Sequence, residues 1–126
     1  MSNVRLNLVV LYSPDIERLR AFYTLLGLEF EREQHGRGPE HFAAEVDGVV
    51  LEIYPQQSAA GADASAVRLG FDVPYLDTML EALLGGGGQL VTPPAETQQG
   101  MVAVVRDPDG RKLELVEPRS RRRCCG

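Results

Sequence analysis

The sequence lacks most features that would place a protein in a membrane, outside the cell or on nucleic acid. Its only cysteines, Cys124 and Cys125, are adjacent, so they offer no disulfide framework. No apolar run approaches the roughly 20 residues that span a bilayer, and residues 1–5 lack the pattern of a secretory signal. The formal net charge of −5 argues against general nucleic-acid binding, which requires a basic surface. We therefore expect a cytoplasmic protein without nucleic-acid or membrane partners.

The chain does contain one motif that is written twice. Residues 47–52 (DGVVLE) return as residues 109–114 (DGRKLE). An Asp-Gly pair between apolar runs is typical of a tight hairpin turn, because such a turn requires positive φ. Each copy therefore predicts a turn that leads into a strand. In that strand the Glu faces one side of the sheet and its apolar neighbours face the other.

The predicted secondary structure also repeats in the same order. The first half predicts a strand, a helix that ends at Gly27 and three more strands, at residues 6–11, 14–26, 28–33, 41–46 and 49–54. We expect Ser13 to cap the helix, because Pro14 suits the first helical position and Asp15 the first turn. The second half predicts the same elements, with a loop at 93–100, at residues 67–73, 74–84, 89–92, 101–106 and 111–116.

Two units of about 50 residues with one element order indicate a duplication. We expect a single α+β domain over residues 1–118, with module 1 at about 3–55, a linker at 56–66 and module 2 at about 67–118. One helix cannot cover both faces of a four-stranded sheet, so the modules should pair around a shared concave surface. The arginine-rich tail at 119–126 is predicted to be disordered.

Several motifs resemble the vicinal oxygen chelate superfamily, also described as glyoxalase/bleomycin-resistance/dioxygenase proteins. They are residues 15–18 (DIER), 21–23 (AFY), 25–30 (LLGLEF), 106–110 (RDPDG) and 113–118 (LELVEP). The resemblance extends from about Leu6 to Pro118. It implies the glyoxalase/bleomycin-resistance fold, in which two paired βαβββ modules form a cupped mixed sheet around the functional site. It says little about the reaction, because one fold hosts many chemistries.

Enzymes of this superfamily hold a divalent metal with one residue from the first and one from the last strand of each module, usually two His and two Glu or two His and one carboxylate. The matching positions are Asn7, Glu52, Arg68 and Glu114, so both carboxylates are kept and both imidazoles are missing. Transition metals draw on imidazole or thiolate donors, and Arg cannot ligate because it stays protonated. We therefore expect no metal cofactor. Instead, Arg68 should lie beside Glu52 and Glu114 and neutralise them.

The resemblance leaves two functions open. The first is a protein that binds a small molecule in the cup without a catalytic metal, through Asn7, Glu52, Tyr54, Arg68 and Glu114. The alternative is a metal-dependent lyase, isomerase or dioxygenase, in which Glu52, Glu114 and His41 hold a divalent ion. The sequence does not decide whether the protein is an enzyme. A third possibility is an interaction module with a filled cup, and analogy with the family suggests a homodimer.

Each candidate also has a purely structural interpretation. His41 is the candidate general base, because an unperturbed imidazole titrates near neutrality, but a histidine at a strand start can simply be exposed to solvent. Tyr54 shares a face with Glu52 and could form an aromatic wall, or pack in the core. Arg68 and the two glutamates could be surface residues, and His35 lies in a glycine-rich loop that we expect to be exposed.

Overall fold

The structure is a computed structural model that describes residues 6–56 and 67–119. The chain divides into two units, Met1–Ala62 and Asp63–Gly126. The described part of each unit has the order βαβββ around one four-stranded mixed sheet. The division between the units falls inside the predicted linker. Residues 57–66 of that linker, residues 3–5 of module 1 and residues 120–126 of the predicted tail lie outside the described residues. Neither helix in the described part of the chain has the length and apolar character needed to cross a membrane.

The first unit contains β1 (Leu8–Ser13), α1 (Ile16–Leu26), β2 (Glu31–Glu33), β3 (His41–Val46) and β4 (Val49–Pro55). Its sheet has the order β1-β4-β3-β2, in which β1 and β4 are parallel and the other neighbours are antiparallel. Helix α1 contacts β1, β3 and β4. It buries its apolar side against one face of the sheet, which supplies Leu11, Leu51 and Ile53 among other buried residues. Full burial of each such side chain stabilises the fold by about 1.5–3 kcal/mol.

The start of α1 differs from the sequence prediction. Asp15, not Ser13, is the N-cap: it has a non-helical backbone, and its carboxylate accepts a hydrogen bond from the Arg18 amide at 3.1 Å. Ser13 instead accepts a hydrogen bond from the Asp15 amide at 3.1 Å and remains the last residue of β1. The predicted end of the helix is confirmed, because Gly27 has a left-handed backbone with φ 118° that favours glycine.

The second unit contains β5 (Arg68–Asp72), α2 (Leu76–Gly85), β6 (Gln89–Thr97), β7 (Gly100–Arg106) and β8 (Lys112–Pro118), and its sheet has the order β5-β8-β7-β6. Strand β6 extends through most of the stretch that the sequence predicts as a loop. Its two prolines are tolerated because β6 is an edge strand. They also fall at a register shift between Thr92 and Ala95, where the ladder with β7 is irregular.

The repeated Asp-Gly motif forms a turn in both units. In the first unit, Asp47 and Gly48 both have positive φ, 51° and 87°, as a two-residue hairpin requires. In the second unit, the buried carboxylate of Asp107 accepts hydrogen bonds from the backbone of Asp109 and Arg111, at 2.9 Å and 3.0 Å. Each turn brings its Leu-Glu pair into the strand next to the first strand of that unit, as the sequence predicts.

Candidate functional site

The sheet face of the first unit that lies opposite α1, here called the open face, carries most of the candidate residues. On β4, Glu52 and Tyr54 alternate with the buried residues Leu51 and Ile53, so their side chains lie on the open face. The neighbours of Glu52 across the sheet are Val10 on β1 and Ala43 on β3. Glu52 is partly buried, with 18% of its side chain exposed.

His41 lies at the centre of this group. It is the first residue of β3 and only 1% exposed, so the interpretation of His41 as a solvent-facing histidine is wrong. Its ring stacks on Tyr54, with centroids 4.1 Å apart and planes 9° from parallel. Its Nδ1 lies 3.3 Å from the carbonyl oxygen of Pro39. Its Nε2 lies 3.3 Å from Glu33 Oε1 and 3.7 Å from Glu52 Oε2.

Two further residues join this group that the sequence did not single out as site residues. Glu33 on β2 pairs with His41 on β3, which brings its carboxylate to the imidazole. His35, in the loop between these strands, has its ring 5.2 Å from that of His41 and its Nε2 3.4 Å from Glu33 Oε1. Its side chain is 73% exposed, as expected for a loop histidine. The one available signal was the alternation of residues 28–33, which indicates that Glu33 shares a face with Glu31.

The charges of this group act on Tyr54. Partial burial raises the pKa of its hydroxyl above the ordinary value of 10.0, and the carboxylates of Glu52 and Glu33 raise it further, with a smaller contribution from Tyr12. A phenolate here would lie close to two negative charges in a partly desolvated position. Tyr54 is therefore a neutral hydrogen-bonding group at physiological pH, not a base.

A shallow cavity of about 580 Å³ lies on the first unit beside this group and shares Glu33 with it. Four carboxylates line it, those of Glu29, Glu31, Glu33 and Glu45. Such a surface attracts cations and hydrogen-bond donors and repels anions. The open face of the first unit therefore combines a histidine–tyrosine stack with a dense set of acids.

In the second unit, Arg68 and Glu114 form the ion pair that the sequence predicts. Nη2 of Arg68 lies 3.3 Å from Oε1 of Glu114, and the two side chains are 54% and 39% exposed. At that exposure the pair contributes at most about 1 kcal/mol to stability. Glu114 alternates on β8 with the buried residues Leu113 and Leu115, as Glu52 does on β4. The predicted contact of Arg68 with Glu52 stays a prediction.

Two of the four superfamily positions, Asn7 and Arg68, lack the imidazole that transition-metal sites draw on. The guanidinium of Arg68 occupies one of them and pairs with the carboxylate of Glu114, where a cation would need that carboxylate. Asn7 is exposed and precedes β1, and its backbone carbonyl accepts a hydrogen bond from the Val50 amide at 2.9 Å. Of these four residues, Glu52 has an imidazole beside it, and that imidazole comes from β3 and not from a first or last strand.

The architecture of the chain is shared with many solved structures. A hypothetical protein from S. aureus aligns with a TM-score of 0.72 at 17% identity, over 93% of this chain and 95% of that one. A glyoxalase/bleomycin resistance protein/dioxygenase family enzyme from Burkholderia phytofirmans PsJN aligns with a TM-score of 0.69 at 20% identity, over 89% and 97% of the two chains. TnmS3, an antibiotic binding protein from Streptomyces sp. CB03234, aligns with a TM-score of 0.70 at 21% identity, over 94% and 98%.

At these identities the likeness shows the fold alone. A search of curated proteins finds no significant match to this chain. The sequence model of one family does match, and it covers residues 5–115. Because that match spans most of the sequence and agrees with the two βαβββ units, the chain belongs to the Glyoxalase/Bleomycin resistance protein/Dioxygenase superfamily.

Proposed function

We propose that this protein binds a small molecule and does so without a catalytic metal at the positions that the superfamily uses for one. The observation that carries the proposal is the ion pair between Arg68 and Glu114. A guanidinium that pairs with a carboxylate occupies the oxygen that would coordinate a metal ion and neutralises the negative charge that would attract it. The carboxylate of Glu114, paired with Arg68, can still contact an organic ligand.

The chemistry of the open face supports a planar, cationic ligand. The half-buried ring of Tyr54, which stacks on the buried His41, offers an aromatic contact, and the carboxylates of Glu33 and Glu52 lie next to this stack. A cationic group over an aromatic ring gains about 0.5–2 kcal/mol, and hydrogen bonds to carboxylates are stronger than neutral ones. The proposed ligand contacts are Asn7, Glu52, Tyr54, Arg68 and Glu114. The fold shared with TnmS3, described as an antibiotic binding protein, is consistent with such a ligand.

Calorimetric titration of chelator-treated protein tests the proposal. Suitable probes are metal-free bleomycin, which carries planar heteroaromatic and cationic groups, and a planar cationic dye. We expect saturable binding that persists without metal. Glu52→Gln should weaken it by at least about tenfold, since a lost charged hydrogen bond costs about 1.5–3 kcal/mol, or roughly 10- to 150-fold in affinity. Glu81→Gln, an exposed carboxylate on α2, is the matched control and should leave the affinity unchanged.

The same titration decides between the two functions. Binding that occurs only after a divalent metal is restored, and that is lost in Glu114→Gln, would contradict the proposal. It would favour the alternative, a metal-dependent lyase, isomerase or dioxygenase with Glu52, Glu114 and His41 as ligands. One observation supports that alternative, namely the 3.7 Å separation of His41 Nε2 and Glu52 Oε2. The homodimer and the cytoplasmic location stay predictions from the sequence.

A further inference from the structure

We propose that Glu33, His35 and His41 form a binding site for a divalent transition-metal ion of the zinc type on the first unit. The site uses none of the four superfamily positions as a ligand, although Glu52 Oε2 lies 3.7 Å from His41 Nε2, and its residues come from β2, β3 and the loop between them. Each residue offers one donor atom, and these three atoms lie within 4.8 Å of one another. The proposal goes beyond small-molecule binding, because it requires no organic ligand.

The separations of the donor atoms match a shared ion. Two donors about 2.0–2.1 Å from one tetrahedral zinc ion lie about 3.3–3.4 Å apart. Oε1 of Glu33 lies 3.3 Å from His41 Nε2 and 3.4 Å from His35 Nε2. The donor atoms of His35 and His41 lie within 4.8 Å of each other, so a shared ion requires only a small rotation of the exposed His35 side chain. Two imidazoles and a carboxylate form a donor set that binds zinc, cobalt and nickel in preference to magnesium or calcium.

The protonation of His41 provides an independent argument. A proton on Nδ1 donates to the Pro39 carbonyl oxygen, which lies 3.3 Å away. In that tautomer Nε2 carries a lone pair and no proton, while Glu33 Oε1 and Glu52 Oε2 lie 3.3 Å and 3.7 Å away, and their mutual repulsion is relieved by a cation bound beside them. Nε2 is fully buried and has no hydrogen-bond partner among the described residues. A buried acceptor in this state destabilises the fold unless it binds a donor or a cation.

An ion pair between a protonated His41 and Glu33 is the rival explanation. It would satisfy the charges, but a buried imidazolium should direct its N–H at an oxygen, and Nε2 forms no such hydrogen bond. Both histidines also approach the same carboxylate oxygen, and their rings are 5.2 Å apart. Two imidazoliums at that distance would repel each other. One shared cation accounts for both contacts at once.

The loop between β2 and β3 holds His35 over the site. The amide of Gly38 donates to the His35 carbonyl at 2.9 Å, and the side-chain amide of Gln34 donates to the Gly38 carbonyl at 3.0 Å. Gly36 has φ 58°, which reverses the chain between them. On the other side, Tyr54 fixes the plane of the His41 ring by stacking on it. The backbone at His35 and the ring of His41 are thus held by contacts that do not involve the metal.

Metal titration of chelator-treated protein tests the site. Zn²⁺ binding is measured by calorimetry, and Co²⁺ serves as a spectroscopic probe because four-coordinate Co²⁺ absorbs in the visible range. We expect one ion per chain. Glu33→Gln and His35→Ala should each weaken binding by more than about tenfold. His35 is exposed, so its replacement leaves the fold intact, and circular dichroism checks this.

Three matched variants exclude other sources of binding. Glu81→Gln makes the same charge change at an exposed carboxylate on α2, outside the acidic cavity, and should leave the affinity unchanged. Glu114→Gln should also bind normally, because the superfamily positions are not involved. The double variant Cys124→Ser/Cys125→Ser should bind normally too, since thiolates are themselves zinc ligands. Absence of stoichiometric binding, unchanged affinity in both Glu33→Gln and His35→Ala, or loss in any control would overturn the proposal. None of these measurements uses the organic ligand. A negative result for the metal site therefore does not contradict the proposed small-molecule binding.

Discussion

At the scale of a single residue, the hydroxyl of Tyr54 responds to the charges around it. Its pKa is raised above 10.0 by partial burial and by Glu52 and Glu33. The folded protein therefore holds this proton more tightly than the unfolded chain does. The resulting stabilisation is present below about pH 10 and is lost as the pH rises through the folded pKa. We expect the absorbance of the Tyr54 phenolate to appear above pH 10. The absorbance is measured in the presence of a chelator and is assigned to Tyr54 by comparison with Tyr54→Phe.

The variant Glu52→Gln checks the cause of this shift. Removing one of the two nearby negative charges should lower the pKa of Tyr54 towards 10.0, whereas Glu81→Gln on α2 should not change it. A pKa of Tyr54 that is unchanged in Glu52→Gln would show that Glu52 does not contribute to the shift. Burial is the larger cause, so we expect the variant to remove only part of the shift.

The sequence predicts individual site residues only where they follow the repeat. Glu52 and Glu114 could be placed on their strands because the Asp-Gly motif fixes their register, and Arg68 could be paired with Glu114 by its position. The burial of His41 could not be predicted. It depends on Glu33 across the β2–β3 ladder and on the Tyr54 ring from β4. Nothing in residues 28–41 specifies which residue of β2 lies opposite which residue of β3.

At the scale of an element, β7 depends on the glycine at its start. Gly100 has φ 133°, and a Cβ there would overlap the carbonyl oxygen of Glu117 on β8 and lie 2.9 Å from the Arg119 amide nitrogen. Alanine combines left-handed strain of about 1–2 kcal/mol with overpacking of about 1–3 kcal/mol. We expect Gly100→Ala to lower the free energy of unfolding by about 2–5 kcal/mol in urea denaturation.

The control for this prediction is Gly85→Ala at the end of α2. A Cβ at Gly85 would have no neighbour within 4 Å, and the residue lies inside a helix, so alanine should be neutral or stabilise by up to about 1 kcal/mol. If Gly100→Ala behaves like Gly85→Ala, the β7–β8 pairing near residue 117 is looser than described.

Element boundaries were harder to predict than element order. Every helix and strand that the sequence predicts is present in the described residues. The start of α1 differs from the prediction because Ser13 and Asp15, two residues apart, can both cap a helix, and Asp15 is the residue that does so. Strand β6 continues to Thr97 because edge position and a register shift accommodate prolines that would end a central strand. Neither property is visible from local sequence.

At the scale of the whole molecule, the duplication is complete in its topology. The strand orders β1-β4-β3-β2 and β5-β8-β7-β6 are the same pattern, and each contains one parallel pair between its first and last strands. Every ladder among the described strands lies within one unit. In each unit the last strand pairs on one side with the first strand and on the other side with its hairpin partner. Each sheet is therefore hydrogen-bonded without strands from the other unit.

This completeness predicts a tolerance to insertion between the units. Adding about ten Gly and Ser residues between Ala62 and Asp63 lengthens the connection without breaking a ladder, and each doubling of a flexible connection costs only about 0.6 kcal/mol. We expect the free energy of unfolding to fall by less than about 1 kcal/mol. The same insertion between Val104 and Val105, in the middle of β7, should prevent folding because it interrupts two ladders. A loss of several kcal/mol from the first insertion would mean that the connecting segment itself stabilises the protein, in conflict with a composition of small and polar residues.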